Sequence, residues 1–173
     1  MNRQEECQEL LMQDVVRIDI MPIAAIKVSV PYNIENVSAA VVTMADGAAL
    51  TDAKLFAASL LSLNLTVDEL ADAEMQEGLT HKVSQKRDSA GMVRTHTLQV
   101  PIESGFQAVR DKDNVLQETD FCVLLKAVDG TRYLAYEVPN TCQASIDDQM
   151  GQTAKMTLKV SLKSMSGFIR IEQ

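Results

Sequence analysis

The chain has 173 residues, of which 46% are hydrophobic and 23% charged, the proportions of one globular domain that needs neither disulfides nor a metal to hold a core. Trp is absent and aromatics are 4%, which argues against a carbohydrate cleft or a base-stacking platform for nucleic acid. Lys plus Arg total 16 against 24 Asp plus Glu, a formal charge of −8, the wrong sign for gripping DNA phosphates.

Residues 1–14 read as an N-terminal arm whose start, Met1 to Glu9, is acidic and polar, unlike a signal peptide. Val15 to Ile20 alternates in part before Pro22 breaks it. Ile23 to Val30 resumes as a strand that Pro31 ends. Val37 to Met44 is β-branched, and Asp46-Gly47 follows as a turn. Residues 45–60 form a loop insertion in which Asp52 caps a short helix up to about Ser59. Leu61, Leu63 and Leu65 then alternate as a strand. The acidic stretch Asp68 to Glu77 reads as a solvated face or loop.

Leu79 to Ile102 is the clearest element, a hairpin turning on Asp88-Ser89-Ala90-Gly91. That turn sets Arg87 opposite Met92, Val83 opposite His96 and His81 opposite Leu98. One face then carries Leu79, His81, Val83, His96, Leu98 and Val100, and the other carries Thr, Ser, Lys and Gln. Ser104 to Gln117 is a helix, or a broken one. Phe121 to Val128 is nearly all apolar and should be central, with Asp129-Gly130 turning it into Thr131 to Val138. Thr141 to Ile146 alternates, Asp147 to Gly151 is a loop, and Ala154 to Lys163 alternates Met156, Leu158, Val160 and Leu162 with Lys155, Lys159 and Lys163. Residues 15–166 are thus expected to form one mainly β domain, an antiparallel sandwich or barrel with one short flanking helix. Residues 167–173 would be an apolar C-terminal arm.

No residue pattern points to catalysis, a cofactor or a metal. His81 and His96, the two histidines, sit diagonally on one hairpin face, with no Cys, Asp or Glu at ligand spacing. Cys7, Cys122 and Cys142 are odd in number and lack CxxC spacing. Cys122 and Cys142 lie in apolar runs as small buried hydrophobes, poor places for a nucleophile beside His96. Asp147-Asp148 lacks the spacing of a calcium loop. Phosphate-loop, dinucleotide and nucleophile-elbow motifs are absent. The longest uncharged apolar run, around Leu55 to Leu63, is too short to span a bilayer, so the expectation is a protein without a membrane partner.

Four segments in order, KVSQKRDSAGMVRTHTLQVPI, GFQAVRDKDNVLQ, DFCVLLKAVDGTRYLAYEV and AKMTLKVSLK, resemble the tail tube (major tail) proteins of long-tailed bacteriophages and prophages of the Bacteroides group. The resemblance implies the fold shared with the type VI secretion tube protein. It implies a structural virion protein, not an enzyme, assembled in the host cytoplasm into stacked, hexameric rings. The arms and the loop near residues 45–60 would reach the next ring. DNA would pass through an acidic lumen without specific binding, and the tape measure, terminator and baseplate would be partners. The alternatives are a terminator, completion or baseplate-hub ring protein of the same fold, and a monomeric β-sandwich binding module.

Overall fold

The computed structural model describes residues 15–29, 39–65, 70–76, 79–88, 91–118, 120–135, 143–149, 155–163 and 168–172. The protein is mainly β. Among the described residues twelve strands follow in chain order: β1 (Val15–Pro22), β2 (Ile26–Ser29), β3 (Ala39–Met44), β4 (Leu61–Asn64), β5 (Ala73–Met75), β6 (Thr80–Asp88), β7 (Gly91–Ser104), β8 (Phe121–Ala127), β9 (Arg132–Ala135), β10 (Gln143–Gln149), β11 (Lys155–Lys163) and β12 (Phe168–Glu172). Among the described residues three short α-helices interrupt them, α1 (Asp52–Ala58), α2 (Phe106–Asp111) and α3 (Asp113–Glu118), and Ile23–Ala25, expected as the start of a strand, forms a 3-10 turn after Pro22 instead.

The strands form one hydrogen-bonded path, β10-β11-β7-β5-β4-β1-β8-β9-β12-β3-β2, with β6 added alongside β7. Most pairs are antiparallel. Two are parallel, β4 with β5 and β12 with β3, so the sheet is mixed rather than wholly antiparallel. The single flanking helix expected from Ser104 to Gln117 is two helices, broken at Lys112. Gly105 starts the first with a φ of 83°.

β1 and β8 lie at the centre and are covered on both sides: β8 is apolar on both faces apart from Lys126, and β1 is apolar on one face and carries Arg17 and Asp19 beside Met21 on the other. Alternation sends Ile18, Ile20, Val123 and Leu125 to one side, where they meet Leu98, Val100 and Ile102 of β7, Leu158 of β11, Val109 of α2 and Leu116 of α3. It sends Met21, Cys122 and Leu124 to the other side, where they meet Val42, Leu134, Ile171 and Leu55 of α1. The sheet therefore encloses two cores, one on each face of its central strands. Residues 45–60, expected as a loop insertion, contain α1, whose Leu55 is fully buried in the second core. Burying a leucine to this extent contributes about 1.5–3 kcal/mol.

The C-terminal segment, expected as an apolar arm that pairs or docks, is a strand of its own chain's sheet. Phe168–Glu172 pairs antiparallel with β9 and parallel with β3, and Ile171 is buried between them. The alternation Ile169–Arg170–Ile171 suits a strand, and the gap between β9 and β3 supplies backbone partners on both sides. The expected arm over residues 1–14 lies outside the described residues.

Candidate functional site: an open four-stranded sheet and a buried ionic row

β6, β7, β11 and β10 form a four-stranded antiparallel sheet. The hairpin register is the one the turn dictates, with Arg87 opposite Met92, Val83 opposite His96 and His81 opposite Leu98. Across the sheet, Val100, Leu158 and Ile146 fall in one row toward the first core. The opposite face carries the row Thr80, Gln99, Lys159 and Ser145, flanked by Lys82, Thr97 and Ser161 on one side and Thr157 and Asp147 on the other. Thr80 and Gln99 approach to 3.3 Å and Lys159 to 3.9 Å from Asp147.

The side chains placed on this face are mostly hydroxyls and amides, with Lys82, Lys155 and Lys159 against Glu103 and Asp147. The acidic wall implied by the tube resemblance is not on this face, and the acid excess of the chain lies elsewhere. Asp147 and Asp148, expected in a loop, belong to β10. Among the described residues, neither the outer edge of β6 nor that of β10 has a strand partner. The hairpin also outruns the core, since Val83 is 47% exposed although it alternates with His81 on the inward face. That exposure departs from the buried face expected from sequence.

His81 and His96 stack with ring centroids 5.2 Å apart, and His81 Nε2 lies 3.0 Å from His96 Nδ1. Their diagonal placement across the hairpin produces the contact. Burial lowers the His81 pKa below its ordinary 6.5, and the neighbouring His96 adds to the effect. Among the described residues no group of three or more His, Cys, Asp or Glu side chains is arranged to hold a metal ion. The geometry gives the pair a packing role at the margin of the core.

A second polar cluster has no counterpart in the sequence reading. On the α1 side of the sheet, Arg17 of β1, Lys126 of β8 and Arg132 of β9 are register neighbours and form one row of three cations. Asp19, two residues along β1, takes two hydrogen bonds from Arg17 at 2.9 and 3.1 Å and one from the Ser62 hydroxyl at 2.7 Å. Asp52 of α1 accepts from Lys126 at 3.0 Å and from Arg132 at 2.6 Å. Thr51, not Asp52, caps α1 through the Lys54 amide, which leaves the Asp52 carboxylate to the sheet. Burial alone would raise the Asp52 pKa, but the hydrogen bonds and charges of Arg132 and Lys126 together carry it below its ordinary value. The signal available in sequence was Arg-Ile-Asp at strand spacing and a lysine inside an apolar run. Neither names the partner on α1.

Cys122 is buried in the second core, as expected. Cys7 and Cys142 lie outside the described residues. Among the described residues no helix is long and apolar enough to cross a membrane. No protein-family model, curated protein or solved structure matches this chain.

Proposed function

We propose that this protein is a structural subunit that joins copies of itself into a ring around a hole, stacked as the tube of a phage tail through which DNA passes. The observation that carries the reading is the β6–β7–β11–β10 sheet, polar on its outer face and, among the described residues, without a strand partner along the outer edge of β6 or of β10. Open edges expose unpaired N–H and C=O groups and invite pairing with another chain, and a closed ring of sheets leaves none. Antibody labelling of tailed particles tests the reading. A tube subunit is labelled along the whole tail, and absence of label from the tail rejects it.

One observation favours a second reading, a terminator, completion or baseplate-hub protein that forms a single ring. The C-terminal segment, which would reach a neighbouring ring, is held between β9 and β3 of its own chain. Label confined to one point on the tail selects that reading.

A further inference from the structure

The net charge of the chain conceals a segregation. β6, β7, β10 and β11 together hold 7 of its 16 Lys and Arg and 4 of its 24 Asp and Glu, which makes this sheet +3 and leaves the rest of the chain at −11. The register orders the lysine positions of the polar face. On one side of β7, positions 86 and 82 of β6 fall opposite Val93 and Thr97. On the other, positions 163 and 159 of β11 fall opposite Thr95 and Gln99. Each two-residue step along β7 from 93 to 99, about 7 Å, therefore has a lysine position beside it, alternately on β6 and on β11. The two lysine columns stand about 10 Å apart, two strand spacings, with Thr95, Thr97 and Gln99 between them. The acids of this face lie around that strip: Asp88 at the turn, Glu103 at the far end of β7 and Asp147 on β10. Lys82 and Lys155 are exposed, and Lys159, 3.9 Å from Asp147, is in an exposed pair that neutralises little.

The chemistry of the strip selects its partner. The core of a protein–protein interface is apolar and aromatic, and Lys and Ser are depleted there. This strip offers hydroxyls, an amide and lysines, the groups that contact phosphate oxygens. The four strands contain no Phe, Tyr or Trp, so they have no ring on which an unpaired base could stack, and a duplex fits them better than a single strand. We infer that the outer face of the β6–β7–β11–β10 sheet binds duplex DNA by its phosphate backbone, one strand lying along β7 between the two lysine columns. Lysine is a flexible point charge and not a planar fork, so the contact is weak, indifferent to sequence and dependent on salt. A duplex held in this way slides. The inference rests on the reading above for the choice of DNA among nucleic acids. It departs from the repelling acidic wall that the tube resemblance implies.

Fluorescence anisotropy of a labelled DNA duplex of about 20 base pairs, titrated with the full chain below the concentration at which rings form, tests it. Saturable binding at low salt is expected, equal for two unrelated sequences. The logarithm of the affinity should fall against the logarithm of salt concentration with a slope of about −4.5, the value for five phosphate contacts. Lys82→Gln combined with Lys159→Gln should bring that slope about 2 closer to zero without changing the melting temperature by more than a few degrees. Lys54→Gln, at an exposed lysine of α1, should leave it unchanged. No binding at low salt overturns the inference, and so does a slope that the double variant does not alter. Tighter binding of polyglutamate than of DNA through the same lysines also overturns it and makes an acidic protein the partner. Rings under negative stain alongside any of these failures leave the assembly reading standing, and DNA binding by a chain that never forms rings removes that reading and keeps the DNA-binding face.

Discussion

Asp52 and Arg132, 80 positions apart in the chain, meet at 2.6 Å, and through this contact a seven-residue helix is held onto the middle of the sheet. Arg132 is 5% exposed, so its charge has few other means of compensation. A helix this short has little stability of its own, and its place depends on what it packs against.

Asp52→Asn therefore leaves two cations without their carboxylate. The expected loss is about 1–3 kcal/mol, less than for a wholly buried pair because Asp52 is partly exposed. Replacing Arg132 by Met in the same chain should recover part of the loss, since it removes the stranded charge. Urea unfolding of the two single variants and the double variant checks this. The pH dependence has a definite sign. Because the folded-state pKa of Asp52 is lowered, its stabilisation is present above the unfolded value of 3.8 and is lost as pH falls through the lower folded value. Asp52→Asn should remove that share of the acid sensitivity.

Asp19 is buried to a greater degree, at 1% exposure, and is tied to Arg17, Ser59 and Ser62. Asp19→Asn should cost about 3–5 kcal/mol, the effect of stranding a buried charge. Asp147→Asn, in an exposed pair at 3.9 Å, should cost at most about 1 kcal/mol in the unassembled protein. Parallel melts of the two variants separate the buried network from the surface contact.

Gly105 admits no side chain for two reasons. Its φ of 83° is one that L side chains rarely adopt, and an added Cβ would lie 2.9 Å from both Cα and Cβ of Ala73. Gly105→Ala should destabilise by at least about 1–3 kcal/mol and loosen α2 against β5. Gly130, with a φ of 91° but open space around it, should cost only about 1 kcal/mol as Ala. Denaturation midpoints of the two variants compare the clash with the dihedral cost alone.

His81 makes stability depend on pH below its ordinary pKa of 6.5. His81 has a lowered folded-state pKa, so the unfolded chain binds its proton more readily. Stability from this group is present above 6.5 and is lost as pH falls from there through the folded value. His81→Gln should flatten the dependence between pH 7.5 and pH 5.5, read as the urea midpoint at each pH.

Much of the fold was legible because strand alternation and turn chemistry act locally. Asp129-Gly130 gives a three-residue loop in which the Thr131 amide binds the Asp129 carboxylate and Gly130 takes the left-handed conformation. The β6–β7 register followed from its turn alone. The nearly all apolar run of β8 correctly marked a strand covered on both faces. What escaped the sequence reading depends on contacts between distant segments. The parallel seat of β12 beside β3 is decided by which edges remain unpaired after the other strands have assembled. The ionic row joins β1, β8, β9 and α1, four segments whose adjacency no local pattern encodes. β10 runs on through Asp147 and Asp148, residues with poor strand propensity, because β11 supplies a partner for each.

The central claim is that this chain completes its sheet with copies of itself. Negative-stain microscopy of the purified full-length protein over a range of concentrations tests it most directly. The account predicts rings with a central hole that increase with concentration, and stacks of them if the protein is a tube subunit. Particles that stay single at the highest concentration would contradict it.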